Sequence, residues 1–587
     1  MDVLPEYLIV ESLGKLSGKS LYWARRKTDN AVVLIKQSMT THLFDTEIEQ
    51  FKQEYETARL IGYKVSLHLP DEKNGYGAII YESCDGVFLN RLLETQQLSI
   101  DDKIHLFKSA AKALDELQKK GVMHFGIKLD RTLLHNNEKI LFFALDDTVV
   151  LNEDEIYFPK NHHYSLDVLK YLPPELTGKT CKVADFRTSF YQLGVMFYRI
   201  FTDKFPFESS SPESLLYAQA FEIPTAPHIV KQEIPGKISS IIMKLLEKDP
   251  EDRYQTAQAL CADLEDDIDS KIAFVPGMKD RGIFKLTRKV FGYDGQLDEL
   301  NWFCKHISLA ETRAVFMKCD NGCGKKEFLG SFSEIVNKVG GYYFNTDFSP
   351  MSGSFPFHGI LILLDQIIAC IKENDKTEEF VDFLKKEKNI EPYLGQFAAL
   401  FPELKNVCSQ MHKEKSENVH FRHCFFYFAT NVLRFFTENF GVLTVYISGL
   451  NAKMKEGLKI LRYLLGNCSR LMFLISVSTD EEKEYFEKNL NSDNVFFASI
   501  RLPVLSRTEA SQMIAASFHC NIAETLHAAD MLIRQSGGKV GVMKYILQQW
   551  NRNKVLLYEN GSLRFNADLA VQYFMPNFNV TESLLKK

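Results

Sequence analysis

No Cys-x-x-Cys pair occurs among the eleven cysteines, which are scattered and odd in number. A zinc site or a disulfide frame is therefore not expected, and reduced thiols in a cytosolic compartment are. No basic stripe interrupts a net charge of −6, which argues against nucleic acid or an anionic membrane as the main partner. Low-complexity tracts are missing, so disorder is expected only in short linkers. The opening Met1-Asp2-Val3-Leu4-Pro5-Glu6 has no charged-then-apolar leader, and the longest apolar runs, such as Ile360 to Leu364, fall far below membrane-spanning length. What is present, 45% hydrophobic and 25% charged residues over 587 positions, leads to the expectation of a cytoplasmic protein of about three to five domains.

Short apolar runs alternate with turn residues in the opening stretch, as in Tyr7-Leu8-Ile9-Val10 and Ala31-Val32-Val33-Leu34-Ile35-Lys36, which is strand patterning. A helix of good formers is expected over about Glu47 to Leu60. From about Asp101 the apolar positions Leu106, Ala110, Leu114 and Leu117 recur at helical spacing. A small strand-rich lobe, about 1–84, followed by a larger helical lobe, about 85–272, resembles the bilobal α+β fold of protein kinases. Several motifs fall in register with that resemblance.

Val33-Leu34-Ile35-Lys36 resembles the kinase strand whose lysine reaches the ATP phosphates, with Glu54 placed on the next helix to pair with it. Ile79-Ile80-Tyr81-Glu82 resembles the strand entering the adenine hinge. Tyr171-Leu172-Pro173-Pro174-Glu175 resembles the A-P-E end of an activation segment, and Arg253 the late arginine that braces that glutamate. The chemical positions depart from the family. The phosphate-covering loop keeps Gly14 but has Leu16 and Lys19 where close backbone approach wants no side chain. His124-Phe125-Gly126-Ile127-Lys128-Leu129-Asp130-Arg131 stands where the resemblance places H-R-D-x-x-x-x-N. The base is thus Gly126, the magnesium-holding Asn is Arg131, and the arginine that reads a phosphorylated segment is Phe125. Eighteen residues after Gly126 the metal-binding Asp of D-F-G is Ala144. Lys128 is retained, and Asp130, Asp146 and Asp147 are the candidate stand-ins. Ser189 replaces the buried Asp that anchors the catalytic loop. No catalytic or metal-ligating set is intact, and phosphoryl transfer depends almost entirely on positioning and electrostatics. Losing the base and both metal ligands is expected to cost many orders of magnitude in rate.

Residues 273–289, with Pro276-Gly277 and five basic residues, read as a linker. Then a strand, Ala314-Val315-Phe316-Met317-Lys318, runs into Cys319-Asp320-Asn321-Gly322-Cys323-Gly324-Lys325-Lys326 and a helix from Glu327 to Val339. Strand, glycine turn, lysine and helix make a phosphate-loop context. Gly322, Gly324 and Lys325 are the candidate phosphate binders, although Cys319 replaces the first glycine and Lys326 the magnesium-binding hydroxyl. Strands near 342, 442, 471 and 498, separated by helical stretches, imply a parallel α/β sheet over 290–505. Ser506 and Glu509 form a capping-box-like helix start, and 506–587 reads as a helical lid with a winged-helix-like end. His420, His423 and Cys424 lie on an aromatic-rich helix and are read as core packing rather than as metal ligands.

In domain order the chain resembles the front half of multi-sensor signalling proteins that join a Ser/Thr-kinase-like domain to an AAA-type ATPase and a histidine kinase. The resemblance implies a signalling assembly whose output module, a histidine kinase or another, is a partner or lies on a longer chain. It also implies ATP as the cofactor. Because Arg131 and Lys326 put cations at metal-ligand positions, the expectation is nucleotide held without magnesium and not turned over. The leading reading is a pseudokinase joined to a degenerate ATPase, acting as scaffold or nucleotide-responsive regulator. Two alternatives stay open: an active atypical Ser/Thr protein kinase, and an ATP-gated AAA-type switch worked by Lys325.

Overall fold

The computed structural model describes residues 4–16, 18–39, 43, 45–69, 76–82, 85–143, 145–150, 165–266, 274–307, 311–349, 357–401, 404, 418–492, 495–559 and 561–572. The chain divides into two compact units between Arg281 and Gly282.

The first unit opens with an antiparallel sheet of β1 (Tyr7–Leu16), β2 (Lys19–Arg26), β3 (Val32–Gln37), β4 (Val65–His68) and β5 (Ala78–Glu82), in the spatial order β1-β2-β3-β5-β4. Alternation along β3 sends Val33 and Ile35 to one apolar cluster and Leu34 to another, shared with Phe51 and Ala58 of the helix α1 (Asp45–Leu60). Lys36 has the parity of Leu34, so it is delivered to the α1 side. Glu54 lies on the buried stripe of α1 that also holds Phe51, Thr57 and Ala58.

Two long helices carry the helical lobe. Ile100–Lys119 starts in a capping box between Ser99 and Asp102. Thr188–Thr202 is buried at every residue except Arg199, and its Phe197 stacks on Phe107 with ring centroids 4.1 Å apart. Between them lie the short strand Val122–His124 and the hairpin of Thr132–His135 with Lys139–Phe142, which position the loop from His124 to Arg131.

The second unit is built on five parallel strands in the order Tyr342–Asp347, Leu443–Ser448, Leu471–Val477, Thr312–Lys318, Val495–Arg501. Both faces are covered, as a parallel sheet requires. Ala314 and Phe316 pack in one core with residues of His358–Glu373, Asn418–Phe440 and Lys455–Asn467. Val315 and Met317 pack in another with Phe328, Met513, Met543 and Trp550. Residues beyond 505 therefore share this second core with the sheet. They form the helices Arg507–Phe518, Leu526–Ser536 and Val540–Arg552, then the hairpin Leu556–Glu559 with Ser562–Phe565.

The stretch read as a linker, 273–289, is shared out between the two units. Phe274 packs on the helical-lobe core, Gly277 donates its N–H to Asp263, and buried Asp280 accepts from Gln255 N and Thr256 Oγ1. Gly282 and Lys285 donate to the carbonyls of Phe518 and Ser517 instead. Residues 274–280 thus find their partners within the first unit and 282–287 within the second. His423 is exposed rather than in the core, while Cys424 packs against it; the side chain of His420 lies outside the described residues. Among the described residues no helix is long and apolar enough to cross a membrane, and no cluster of three or more His, Cys, Asp or Glu is placed to hold a metal ion.

Candidate active site

Lys36 and Glu54 meet at 2.9 Å, 1% and 0% exposed. Tyr81 donates its hydroxyl to the other Glu54 oxygen at 2.6 Å. The same lysine reaches Asp146 Oδ1 at 2.8 Å, and Lys19 from β2 lies 3.6 Å from Asp146 Oδ2 while sitting over the Phe51 ring at 4.9 Å. Burial would raise the Asp146 carboxyl, but the two ammonium groups outweigh it and hold the acid down at about 2. Lys36 is pushed up: burial opposes its charge, and the two carboxylates more than compensate. Two lysines and two acids thus close the cluster, in which burial raises the Glu54 carboxyl against the opposing pull of Lys36. Leu16 is 5% exposed and packs in the core beside α1, so a side chain fills the hairpin end where a phosphate loop would be bare. Gly14, with φ +98°, sits at an irregularity in the β1–β2 pairing.

Glu82 is not part of this cluster. Its side chain pairs with Arg26 at 2.9 Å, and its N–H donates to Lys64 O at 2.8 Å. Ala144 lies outside the described residues. Leu145 is fully buried with Leu34 and Phe51, and that seating delivers Asp146 to Lys36.

The loop from His124 is closed in a different way. Arg131, 7% exposed, sends its guanidinium to Asp147. A Cβ at Gly126 would collide with Arg131 Nη1 and lie 3.2 Å from Asp147 Oδ2 and 3.3 Å from His124 Cε1. The cation therefore occupies the space that a side chain at 126 would need. Lys128 is tied to Asp130 at 3.0 Å. Ser189, read from sequence as a lost anchor, does anchor the loop: its Oγ donates to His124 O at 2.9 Å. Gln192 adds a second tie, donating to Phe125 O and accepting from Ile127 N at 3.3 Å.

His124 has its tautomer fixed by its neighbours. Nδ1 accepts from Gly126 N at 2.9 Å, which leaves Nε2–H to donate to Phe143 O at 3.0 Å. Burial lowers its pKa from 6.5 to about 4, and a proton on Nδ1 would break the Gly126 bond. A group depressed on folding contributes stability in full above its unfolded pKa and loses it as pH falls through the folded value. The first unit should lose roughly 3 kcal/mol between pH 6.5 and 4 from this residue. Denaturant titrations of the full chain at successive pH values, on wild type and His124→Asn, check this; parallel curves would refute it.

Glu175 and Arg253 form a bidentate pair at 2.7 and 2.8 Å, both 0% exposed. It braces the helical lobe from residues 78 apart in sequence.

In the second unit Gly322 and Gly324 both take φ +82°, and Lys325 opens the helix Lys325–Lys338. Gly322 O accepts from Gly541 N at 2.8 Å, and a Cβ on Gly324 would come within 3.2 Å of Val540. The turn is thus held under the start of the helix Val540–Arg552. Lys325 faces the Tyr446 hydroxyl and the Cys319 thiol. Sequence reasoning missed Lys19, Tyr81, Tyr446 and the 539–541 segment. The one available signal was Lys19 itself, a long side chain where the loop pattern wants none.

Residues 7–264 match the protein kinase domain family. A 172-residue stretch is 38% identical to Histidine protein kinase 1 of Candida albicans, 29% of this chain and 7% of that protein. Over 269 residues the chain is 26% identical to a probable serine/threonine-protein kinase of Clostridium perfringens, 44% of this chain and 38% of that one. Over 189 residues it is 26% identical to the serine/threonine-protein kinase PknB of Mycobacterium tuberculosis, 32% and 29% respectively. The chain thus spans well under half the length of each of these curated relatives. With the lysine–glutamate pair and the braced helical lobe in place, residues 7–264 are a protein kinase domain with serine/threonine-kinase homologues.

Proposed function

We propose that this kinase domain is catalytically impaired and serves as a signalling scaffold or nucleotide-responsive regulator. The observation that carries the reading is the Arg131 guanidinium, paired with Asp147 and lodged in the space beside Gly126. Residue 126 itself supplies no proton acceptor, and the nearest carboxylate, Asp147, is held by the cation. The remaining charges are already matched: Lys36 with Glu54 and Asp146, Lys19 with Asp146, Lys128 with Asp130. The Lys36–Glu54 pair is one that a working kinase also keeps, but Lys19 on Asp146 and Arg131 on Asp147 put cations on the two acids that a metal ion would need. An active kinase is the second reading, favoured by Asp146, whose carboxylate lies at the phosphate-binding lysine as a metal-ligating acid would.

For the second unit we propose an AAA-type phosphate-loop domain. Thr312–Lys318 lies between Leu471–Val477 and Val495–Arg501, while the chain goes from it to the far edge strand at Tyr342. Connections thus leave this region in both directions, and such switch points are where open parallel sheets bind ligands at their carboxyl ends. The 322–325 turn follows that carboxyl end. Its backbone amides and Lys325 fit a phosphate group, which would arrive with a nucleotide such as ATP. A histidine kinase or other output module is the proposed partner, in keeping with the name of the Candida albicans relative.

Calorimetric nucleotide titration of the full chain with and without magnesium, on wild type, Lys36→Met and Lys325→Ala, tests both readings. Magnesium-independent binding lost only in Lys325→Ala supports them. Magnesium-dependent phosphate transfer to protein hydroxyls, abolished by Lys36→Met, would instead establish the active kinase. The cation-filled base site has its own test. Gly126→Asp should cost about 1–3 kcal/mol through overpacking, and Arg131→Asn should relieve much of that cost in the double variant. Strict additivity of the two changes would remove the argument that Arg131 occupies the site.

A further inference from the structure

Arg199 is the one residue of the helix Thr188–Thr202 that is not buried. Its guanidinium carbon lies 5.4 Å from the centroid of the Phe205 ring, and the Lys170 ammonium lies 5.1 Å from the same centroid. Tyr171 holds that ring from the side, edge-on at 5.4 Å and 85°. Lys170, Arg199 and Phe205 line a cleft of about 610 Å³ together with Glu208, Ser209 and Ser210. Among the described residues Arg199 has no carboxylate partner, and Lys170 has only the surface ion pair to Asp167 at 3.2 Å, whose acid is 83% exposed. Such a pair is worth little and is readily exchanged.

The rest of the cleft is arranged to donate. Ser209 Oγ accepts from Ser211 N at 3.1 Å, which leaves its own proton free. Glu208, the one acid in the lining, has one carboxylate oxygen engaged by Phe205 N at 3.3 Å, and Lys170 and Arg199 outnumber its charge. A guanidinium within cation–π distance of an aromatic ring can still turn N–H groups to a bidentate acceptor. An ammonium and hydroxyl donors beside it suit an acceptor with three oxygens and about two negative charges better than a carboxylate, which has two oxygens and one charge.

We propose that this cleft binds the phosphoryl group of a phosphorylated side chain on a peptide segment, independently of both nucleotide-site readings. Phe125 removes the arginine with which a kinase catalytic loop would take such a group, and the Lys170–Phe205–Arg199 arrangement offers a receptor elsewhere on the helical lobe.

The test is fluorescence polarisation of the full chain with labelled peptide pools of degenerate flanks around a fixed phosphoserine, an unphosphorylated serine or a glutamate, and with inorganic phosphate as competitor. The expected result is binding of the phosphoserine pool at least about ten-fold tighter than of either other pool, weakened about ten-fold or more by Arg199→Gln and by Lys170→Gln. Lys112→Gln, a surface control paired with Glu265, should leave it unchanged. Two variants are used so that a folding defect in one, seen by circular dichroism, does not decide the matter. Equal binding of the three pools, no binding, or binding indifferent to both variants overturns the proposal. Inorganic phosphate binding without phosphopeptide preference overturns it too, since the cleft would then be a free-oxyanion site.

Discussion

Replacing Arg253 by Ala should cost the first unit about 3–5 kcal/mol, the range for breaking a buried ion pair and leaving one charge uncompensated. The arginine makes more than the two bonds to Glu175. Its Nε donates to Glu247 O at 2.8 Å, Nη1 to Arg187 O at 3.0 Å and Nη2 to Lys248 O at 3.3 Å, and its guanidinium lies 5.0 Å from the Tyr191 centroid. Alanine leaves the Glu175 carboxylate and three carbonyls facing a void. Arg253→Lys keeps the charge but not the planar fork, so it should recover only part of the loss. Glu175→Leu with Arg253→Met, which removes both charges at similar volume, should be far milder than Arg253→Ala. Scanning calorimetry of the full chain reads this on the transition assigned to the first unit. A cost for Arg253→Ala below about 1 kcal/mol would show that the brace contributes little to stability.

Much of this could be read before any coordinates, and the limit falls at a definite physical point. The strand alternation of Val33, Leu34, Ile35 and Lys36 already says that Lys36 shares a face with Leu34, and the helical spacing of Phe51, Glu54 and Ala58 says which side of α1 is buried. The two faces meet, so the Lys36–Glu54 pair follows from local periodicity plus one motif. Glu175 and Arg253 needed a family resemblance, because nothing local links residues so far apart. What stayed hidden depends on where long side chains turn once the backbone is placed. Lys19 turning inward to Asp146, Arg131 folding back over Gly126, and Ser189 serving the His124 carbonyl with a hydroxyl instead of a carboxylate are all choices of this kind. Residues 273–289, read as a linker from proline, glycine and basic residues, contain the boundary between the two units, and what composition does not show is that Asp280 and Gly282 each find specific partners on their own side of it. In the second unit the strands were legible from apolar runs, whereas their order, which places the glycine turn at a switch point, is a tertiary fact.

Lys36→Met is expected to be as costly as the loss of Arg253, about 3–5 kcal/mol near pH 7, with a pH signature of its own. The substitution leaves Glu54 and Asp146 as buried carboxylates that shared one ammonium, with Lys19 at 3.6 Å the remaining cation. In wild type the Asp146 pKa of about 2 lies below its unfolded value, so its contribution is present above about pH 4 and is lost as pH falls toward 2. That is worth roughly 2–3 kcal/mol. Without the lysine, the Glu54 carboxyl, which burial and Asp146 already raise in wild type, is pushed up further. A carboxyl raised on folding binds its proton more tightly folded than unfolded, so the cluster's contribution to the variant's stability should grow as pH falls from 7 toward 5, while the His124 loss runs through the same window in both proteins. The difference curve between wild type and variant therefore isolates the cluster: it should be largest near neutrality and shrink on acidification. Asp146→Asn in the Lys36→Met background should reduce that pH dependence by removing one of the two acids, leaving the part that burial alone imposes on Glu54. A difference curve flat from pH 7 to 5 would mean that Lys36 does not hold the two carboxylates in their charged form. The same experiment protects the nucleotide titrations, because loss of binding in Lys36→Met bears on the phosphate site only at a pH where the variant is still folded.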